Sequence, residues 1–204
     1  MRLNPGEIGG GAVYKLMSGV IVPRPIAFIS TVDSDGRPNL APFSFSMAVS
    51  ENPPVHAVSI SGKANGYKDT LNNIRSTGEY VVNVVTEQIG AAMNQTAADF
   101  PPEIDEFEVS SLSAAPSERV APPRVAESPV NMECRLLEMR EFGAPEAGST
   151  VVFGEILLFH IDDNLVRSDG TIDPSGLRAL GRLSGSLYCR TNDQLSYKRP
   201  SATV

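Results

Sequence analysis

The sequence lacks most of the features that would announce a chemistry. It has no tryptophan, two cysteines (Cys134 and Cys189) and two histidines (His56 and His160) in 204 residues. Two cysteines make neither a disulfide framework nor a zinc cluster, and two histidines argue against a histidine-rich metal centre, so no metal site is expected. Lys and Arg number 17 against 24 Asp and Glu, a net charge of −7. No stretch gathers enough cations to displace counterions from a nucleic acid, so no nucleic-acid partner is expected. No uncharged apolar run approaches the ~18 residues that a membrane span needs. The start has no charged segment leading into an apolar run and a small-residue cleavage site, so a cytoplasmic protein with no membrane partner is expected. The P-loop, HExxH, GxSxG and CxxC strings are missing, and Gly9-Gly10-Gly11 lacks the GxGxxG spacing of a dinucleotide loop.

Glycine and proline are plentiful instead, 17 and 16 residues. They punctuate the chain every few residues, which favours short strands and turns over long helices. Composition is otherwise that of a globular protein, with 41% hydrophobic and 20% charged residues. A chain of this length fits one domain, residues 1–204, that buries roughly 70% of its unfolded surface.

Val13, Leu16, Met17 and Val20 recur at helical spacing, and Pro23 stops that helix. Ile26–Val32 is apolar and β-branched, a buried strand. Asp33-Ser34-Asp35-Gly36 predicts a hairpin, with a returning strand from about Asn39 to Val49. Alternation along it places Phe43, Phe45, Met47 and Val49 on one face and Ser44 and Ser46 on the other. Val55–Ser61 reads as the next strand, with Ser59 and Ser61 sharing a face. A short helix follows Lys68-Asp69-Thr70 and ends at Thr77-Gly78; Asp69 or Thr70 is its expected cap. Glu79–Val85 is a strand, and Thr86 is placed to cap a helix through Ile89 and Met93. Residues 101–129 carry six prolines. They read as an extended arm with one strand-like piece at Phe107–Leu112, expected to cross a partner subunit. Val130–Glu141 and Thr150–Ile161 predict a long hairpin, and Ser186–Cys189 a helical patch. The fold class is mainly β: an antiparallel barrel or sandwich with short helical covers.

The chemistry rests on placement. Ser44 and Ser46 project from one strand and Ser59 and Ser61 from the next, and small hydroxyl residues let backbone approach a ligand and offer it donors. The helix start at Lys68 and Thr70 is an anion site, because its amides are unpaired and the helix dipole favours negative charge. Together these describe a hydroxyl-lined slot with a phosphate-sized anchor. Taken singly, each serine reads first as solvated surface, Lys68-Asp69-Thr70 as an ordinary helix start, Arg24 as surface, both histidines as structural and both cysteines as inert core.

The combination is more specific. Pro23-Arg24-Pro25-Ile26-Ala27-Phe28-Ile29-Ser30-Thr31, then Asn39-Leu40-Ala41-Pro42-Phe43-Ser44-Phe45-Ser46, then Asn52-Pro53-Pro54, then Lys68-Asp69-Thr70 and Asn73-Ile74, resembles in order and spacing the flavin reductase-like family that binds FMN, in its flavoredoxin branch. Val152–Glu155 and Leu180–Tyr188 resemble it too, so that about residues 12–190 are covered. Two places depart from the family pattern: Ser46 stands where a second aromatic is usual, and Leu183-Ser184-Gly185 where a glycine pair is common. The resemblance implies a split β-barrel of Greek-key topology, a homodimer, and a flavin at or near the subunit interface. It implies that Asn39, Leu40, Ala41, Pro42, Ser44, Phe45 and Ser46 line the isoalloxazine and ribityl chain. Ser59, Ser61, Lys68 and Thr70 would hold the phosphate, with Arg24 a further candidate. The activity expected is that of an NAD(P)H-dependent FMN reductase delivering electrons to free flavin or a partner protein. An FMN-binding electron carrier without nicotinamide activity, and a non-enzymatic barrel for another phosphorylated ligand, are the alternatives. The resemblance names no catalytic side chain.

Overall fold

The structure is a computed structural model that describes residues 1–64 and 66–201. Its strands are β1 (Arg24–Pro25), β2 (Ala27–Val32), β3 (Pro38–Phe43), β4 (Ser46–Glu51), β5 (Pro54–Ser61), β6 (Glu79–Val84), β7 (Ala114–Ala115), β8 (Arg124–Val125), β9 (Val130–Phe142), β10 (Ser149–Ile161), β11 (Leu180–Arg182) and β12 (Tyr188–Arg190). Five short helices cover them: α1 (Gly10–Val20), α2 (Asp69–Thr77), α3 (Gly90–Gln95), α4 (Glu106–Ser110) and α5 (Pro174–Leu177). Seven strands form one antiparallel sheet in the order β3-β2-β6-β9-β10-β5-β4, and β1, β11 and β12 form a smaller one.

That order explains the seam of the barrel. β3 and β4 are consecutive in the chain yet lie at opposite edges of the sheet. Ser44 and Phe45 cross from one edge to the other, and the Ser59 N–H donates to the Phe45 carbonyl at 2.8 Å. The single strand expected over Asn39–Val49 is therefore two strands meeting at a corner. The shared apolar face expected for it is lost as well: Phe43 is buried, while Met47 and Val49 are exposed on an edge strand that slips register after Ala48.

β2 is buried along its whole length because its two faces serve two cores. Ala27 and Ile29 join Val58, Ile60, Leu71, Ile74, Tyr80 and Val152 in one; Phe28 joins Leu40, Val85, Ile89, Met93 and Phe107 in the other. Each such side chain taken from water stabilises the fold by ~1.5–3 kcal/mol. Gly154 leaves space for Tyr80, since a Cβ there would stand 2.1 Å from the phenol oxygen. The hairpin before β3 closes as expected: Asp33 accepts the N–H groups of Asp35 and Arg37, and Gly36 takes φ +82°. α2 ends at Gly78 in the left-handed region, but its cap position is Lys68 and no side chain caps it.

The 101–129 segment differs from expectation in one way. Phe107 opens no strand; α4 forms at Glu106–Ser110, with the Asp105 side chain accepting the Phe107 N–H. The segment also packs on its own barrel. Phe107, Leu112, Val120 and Val125 are buried there. Asn83 accepts the Val125 N–H at 2.9 Å, and the fully buried carboxylate of Glu133 accepts those of Glu118 and Arg119 at 2.9 and 2.6 Å. His160 completes the Glu133 site at 2.6 Å. Burial alone would raise the Glu133 pKa, but these donors outweigh it and hold the carboxyl below its usual range. Tyr188–Arg190 is a strand paired with β11, where a helical patch was expected. Cys134 is core, its thiol pushed up to about 12 by burial, whereas Cys189 is only half-buried. No helix among the described residues is long and apolar enough to cross a membrane.

Candidate functional site

The expected site residues fall into two neighbouring places joined by one stretch of chain. Asn39, Ala41, Pro42 and Phe43 line a cleft of about 80 Å³ at the start of α2 with Lys63, Lys68, Thr70 and Glu106. Ser44, Phe45 and Ser46 line a cavity of about 370 Å³ with Arg24 and Ser59. The corner that closes the barrel therefore carries the backbone from the polar cleft to the apolar cavity.

The cleft combines cations with an uncapped helix. The first amides of the nine-residue α2 have no side-chain partner, and the helix dipole adds partial positive charge there. Lys63 lies 3.5 Å from Asp69 and Lys68 3.3 Å from Asp99. Thr70 is buried, and its hydroxyl accepts from Asn39 Nδ2 at 2.9 Å. Asn39 and Thr70 thus fasten β3 to α2, while the two lysines remain partly exposed. Glu106 is buried and accepts the Leu40 N–H at 3.0 Å, a donor that the edge strand β3 leaves unpaired. Burial raises the Glu106 pKa, a shift that the Leu40 bond partly opposes. Leu40 itself lies in the core and lines neither place.

At the other place Arg24 is 5% exposed. Its Nη1 donates to the carbonyls of Ser18 and Ile21, its Nη2 to that of Leu183 at 2.9 Å, and its Nε to Ser44 Oγ at 3.4 Å. Its guanidinium also lies 5.7 Å from the Phe45 ring, which stacks on Tyr14. Arg24 is therefore a buried clamp at the Ser44 corner and not a companion of Lys68. Ser46 Oγ is 2.8 Å from Nε2 of His56, whose pKa burial pushes down to about 4. Ser59 lines this cavity and not the cleft. Ser61 faces Ser149 on β10 at 3.5 Å and lines neither.

Lys63 and Glu106 also line the cleft and His56 stands against Ser46, although no motif marks Glu106 or His56. Lys63 alone carries a usable signal, a cation in the glycine-flanked loop before a helix start.

The donor set suits a phosphate monoester. Two ammonium groups and free helix amides stand together in a cleft of small volume, beside an apolar cavity that accommodates an aromatic ring.

Residues 17–181 match the flavin reductase like domain family. An uncharacterized protein of Aquifex aeolicus is 38% identical over 193 residues, 94% of this chain and 96% of the relative. Among solved structures, nitrilotriacetate monooxygenase component B from Bacillus cereus has a TM-score of 0.92 at 35% identity, covering 97% of this chain and 98% of that one. The 2-nitrobenzoate 2-nitroreductase NbaA of Pseudomonas fluorescens has a TM-score of 0.89 at 29% identity, covering 100% and 98%. The fold is the split barrel that the resemblance implied, and the chain belongs to the flavin reductase-like family.

Proposed function

We propose that this protein is an NAD(P)H-dependent FMN reductase, a single-domain cytoplasmic homodimer that delivers electrons to free flavin or to a partner protein. The observation that carries this reading is the unbroken stretch Asn39–Ser46, which borders an anion cleft with its first half and an apolar cavity with its second. Lys63, Lys68 and the first amides of α2 would hold the phosphate of FMN. The backbone of Ala41–Ser46 and the side chains of Ser44, Ser46 and Ser59 would border its ring and ribityl chain. The flavin supplies the hydride chemistry, so the chain needs no acid–base pair of its own. Its residues position and exclude water, and Arg24 fixes the Ser44 corner from behind. A redox partner agrees with the solved relative from Bacillus cereus, which is one component of a monooxygenase.

The test is anaerobic mixing of the purified protein with FMN and either NADH or NADPH. Loss of flavin absorbance at a rate above the protein-free mixture supports the reading. FMN that binds yet stays oxidised with both nucleotides removes the reductase activity and leaves an electron carrier.

A further inference from the structure

A second and larger cavity, about 720 Å³, adjoins the one at the Ser44 corner. The two share Pro23, Arg24, Pro25, Ser46 and Met47. Val55, Val82, Val84, Met132, Ile156 and Leu180 supply most of its apolar wall. Polar groups are few: Arg24, Ser46, His56, Ser50, Glu51 and Thr191. His56 is neutral near pH 7, so Arg24 and Glu51 are the charged groups among the lining residues.

These two stand at opposite ends. Arg24 bonds Ser44 and lies over Phe45, next to the first residue of β4, and Glu51 is the last residue of that strand. Five steps of strand at ~3.3 Å each separate Ser46 from Glu51 by roughly 15 Å. Glu51 is exposed at the hairpin rim, whereas Arg24 is buried. The partners of Arg24 are three carbonyls and one hydroxyl, none of them a carboxylate. A guanidinium has five N–H groups, and these bonds use four. The carbonyls of Ser18 and Ile21 at the end of α1 offset part of the charge. A buried cation is costly without a full counter-charge, and an anion in the cavity would supply it.

We propose that this cavity is a second ligand site, for the anion of a small aromatic or conjugated carboxylic acid. Its carboxylate pairs with Arg24 and its apolar body lies along the Val82, Met132 and Ile156 wall, away from Glu51. The volume suits such a molecule, and the charge at one end sets its direction. Because Ser46 and Met47 belong to both cavities, a ligand here lies against the wall of the smaller one. The inference goes beyond the flavin reading and stands without it.

Calorimetric titration with trans-cinnamate and with its neutral amide tests the site. Saturable binding of one cinnamate per chain is expected, at least tenfold tighter than the amide. Ala48→Phe, at an exposed strand position lining the cavity, should abolish binding of both. Arg24→Met should make acid and amide bind alike. Arg24 also ties three segments together, so if that variant does not fold, the acid–amide ratio and Ala48→Phe still decide. Equal affinity for acid and amide, binding that survives Ala48→Phe, or no saturable binding overturns the proposal. A parallel FMN titration separates the two readings: protein that binds cinnamate but not FMN keeps this site and loses the flavin, and the reverse result does the opposite.

Discussion

The two ends of the candidate site follow opposite plans. At the start of α2 the charges are partly exposed and paired with one another, Lys63 with Asp69 and Lys68 with Asp99, whose side chain is 83% exposed. At Arg24 a single cation is buried and held by main-chain oxygens. Exposed ion pairs contribute ~0–1 kcal/mol, so an arriving anion can take over the lysines with little loss. The Arg24 end has less slack, because four of its five N–H groups are taken up by the fold, the bond to the Ser18 carbonyl inside it and the other three part-buried. One end offers partly exposed charges, and the other ties most of its donors into the fold and keeps one N–H over.

The largest effect that would break this contrast is on stability at Arg24. Arg24→Met leaves the carbonyls of Ser18, Ile21 and Leu183 without their donor. At ~1–3 kcal/mol for the buried Ser18 carbonyl, and less for the part-buried carbonyls of Ile21 and Leu183, the variant should lose roughly 3 kcal/mol in urea unfolding. A loss below ~1 kcal/mol would show that water replaces the guanidinium and that the clamp is not structural.

His56, on the same side of the site, gives an effect of similar size that depends on pH. Its folded pKa, pushed down to about 4, lies below the 6.5 of an open chain. Between those values the unfolded state binds a proton that the folded state refuses, so stability rises with pH there. It is complete above pH 6.5 and falls as the pH drops toward 4. At ~1.4 kcal/mol per unit the fall amounts to about 3 kcal/mol. His56→Gln should flatten it, which paired urea midpoints across that range would reveal. An unchanged pH slope in the variant would mean that the buried ring is not what titrates.

Lys68 sharpens the contrast from the binding end. Lys68→Ala should weaken FMN binding by ~1.5–3 kcal/mol, the range for a charge-assisted hydrogen bond. It should cost no more than ~1 kcal/mol of stability, because the pair it breaks with Asp99 is exposed. A fluorescence titration beside a urea curve separates the two. Equal losses in both would make Lys68 one more piece of scaffold.

Sequence reading reached the two ends unequally. The anion end was legible because its signals are local: a lysine, a helix start and a glycine stop fall within eleven residues, Lys68–Gly78. The Arg24 end was not. Its partners lie 3, 6, 20 and 159 positions away, and three of the four are carbonyls, which every residue carries. Ser44 and Ser46 do line one cavity, but the corner between β3 and β4 was missed, since alternation continues through a place where the chain changes edge. The same reason hid α4 and its buried carboxylate. In a proline-rich segment Glu106 reads as solvated, and only the sheet order reveals an edge N–H at Leu40 in need of an acceptor.

Glu106 therefore supplies the smallest and most discriminating test, because it borders the polar cleft but behaves like the buried end. Glu106→Leu removes the acceptor of the Leu40 N–H and should destabilise by ~1–3 kcal/mol. Glu106→Gln keeps an acceptor oxygen of the same shape and should change stability at neutral pH by less than ~1 kcal/mol. The sign with pH runs opposite to that of His56. Burial raises the folded pKa of Glu106, so the folded state keeps its proton when the open chain has released its own. The contribution is complete below the ordinary carboxylate range and is lost as pH rises through the raised value. Glu106→Gln should remove that decline while leaving the His56 slope in place. If both Glu106 variants instead lose stability equally, the Leu40 bond is not what fixes the outer edge of β3, and the stretch Asn39–Ser46 is held by its pairing with β2 and by the Asn39–Thr70 contact.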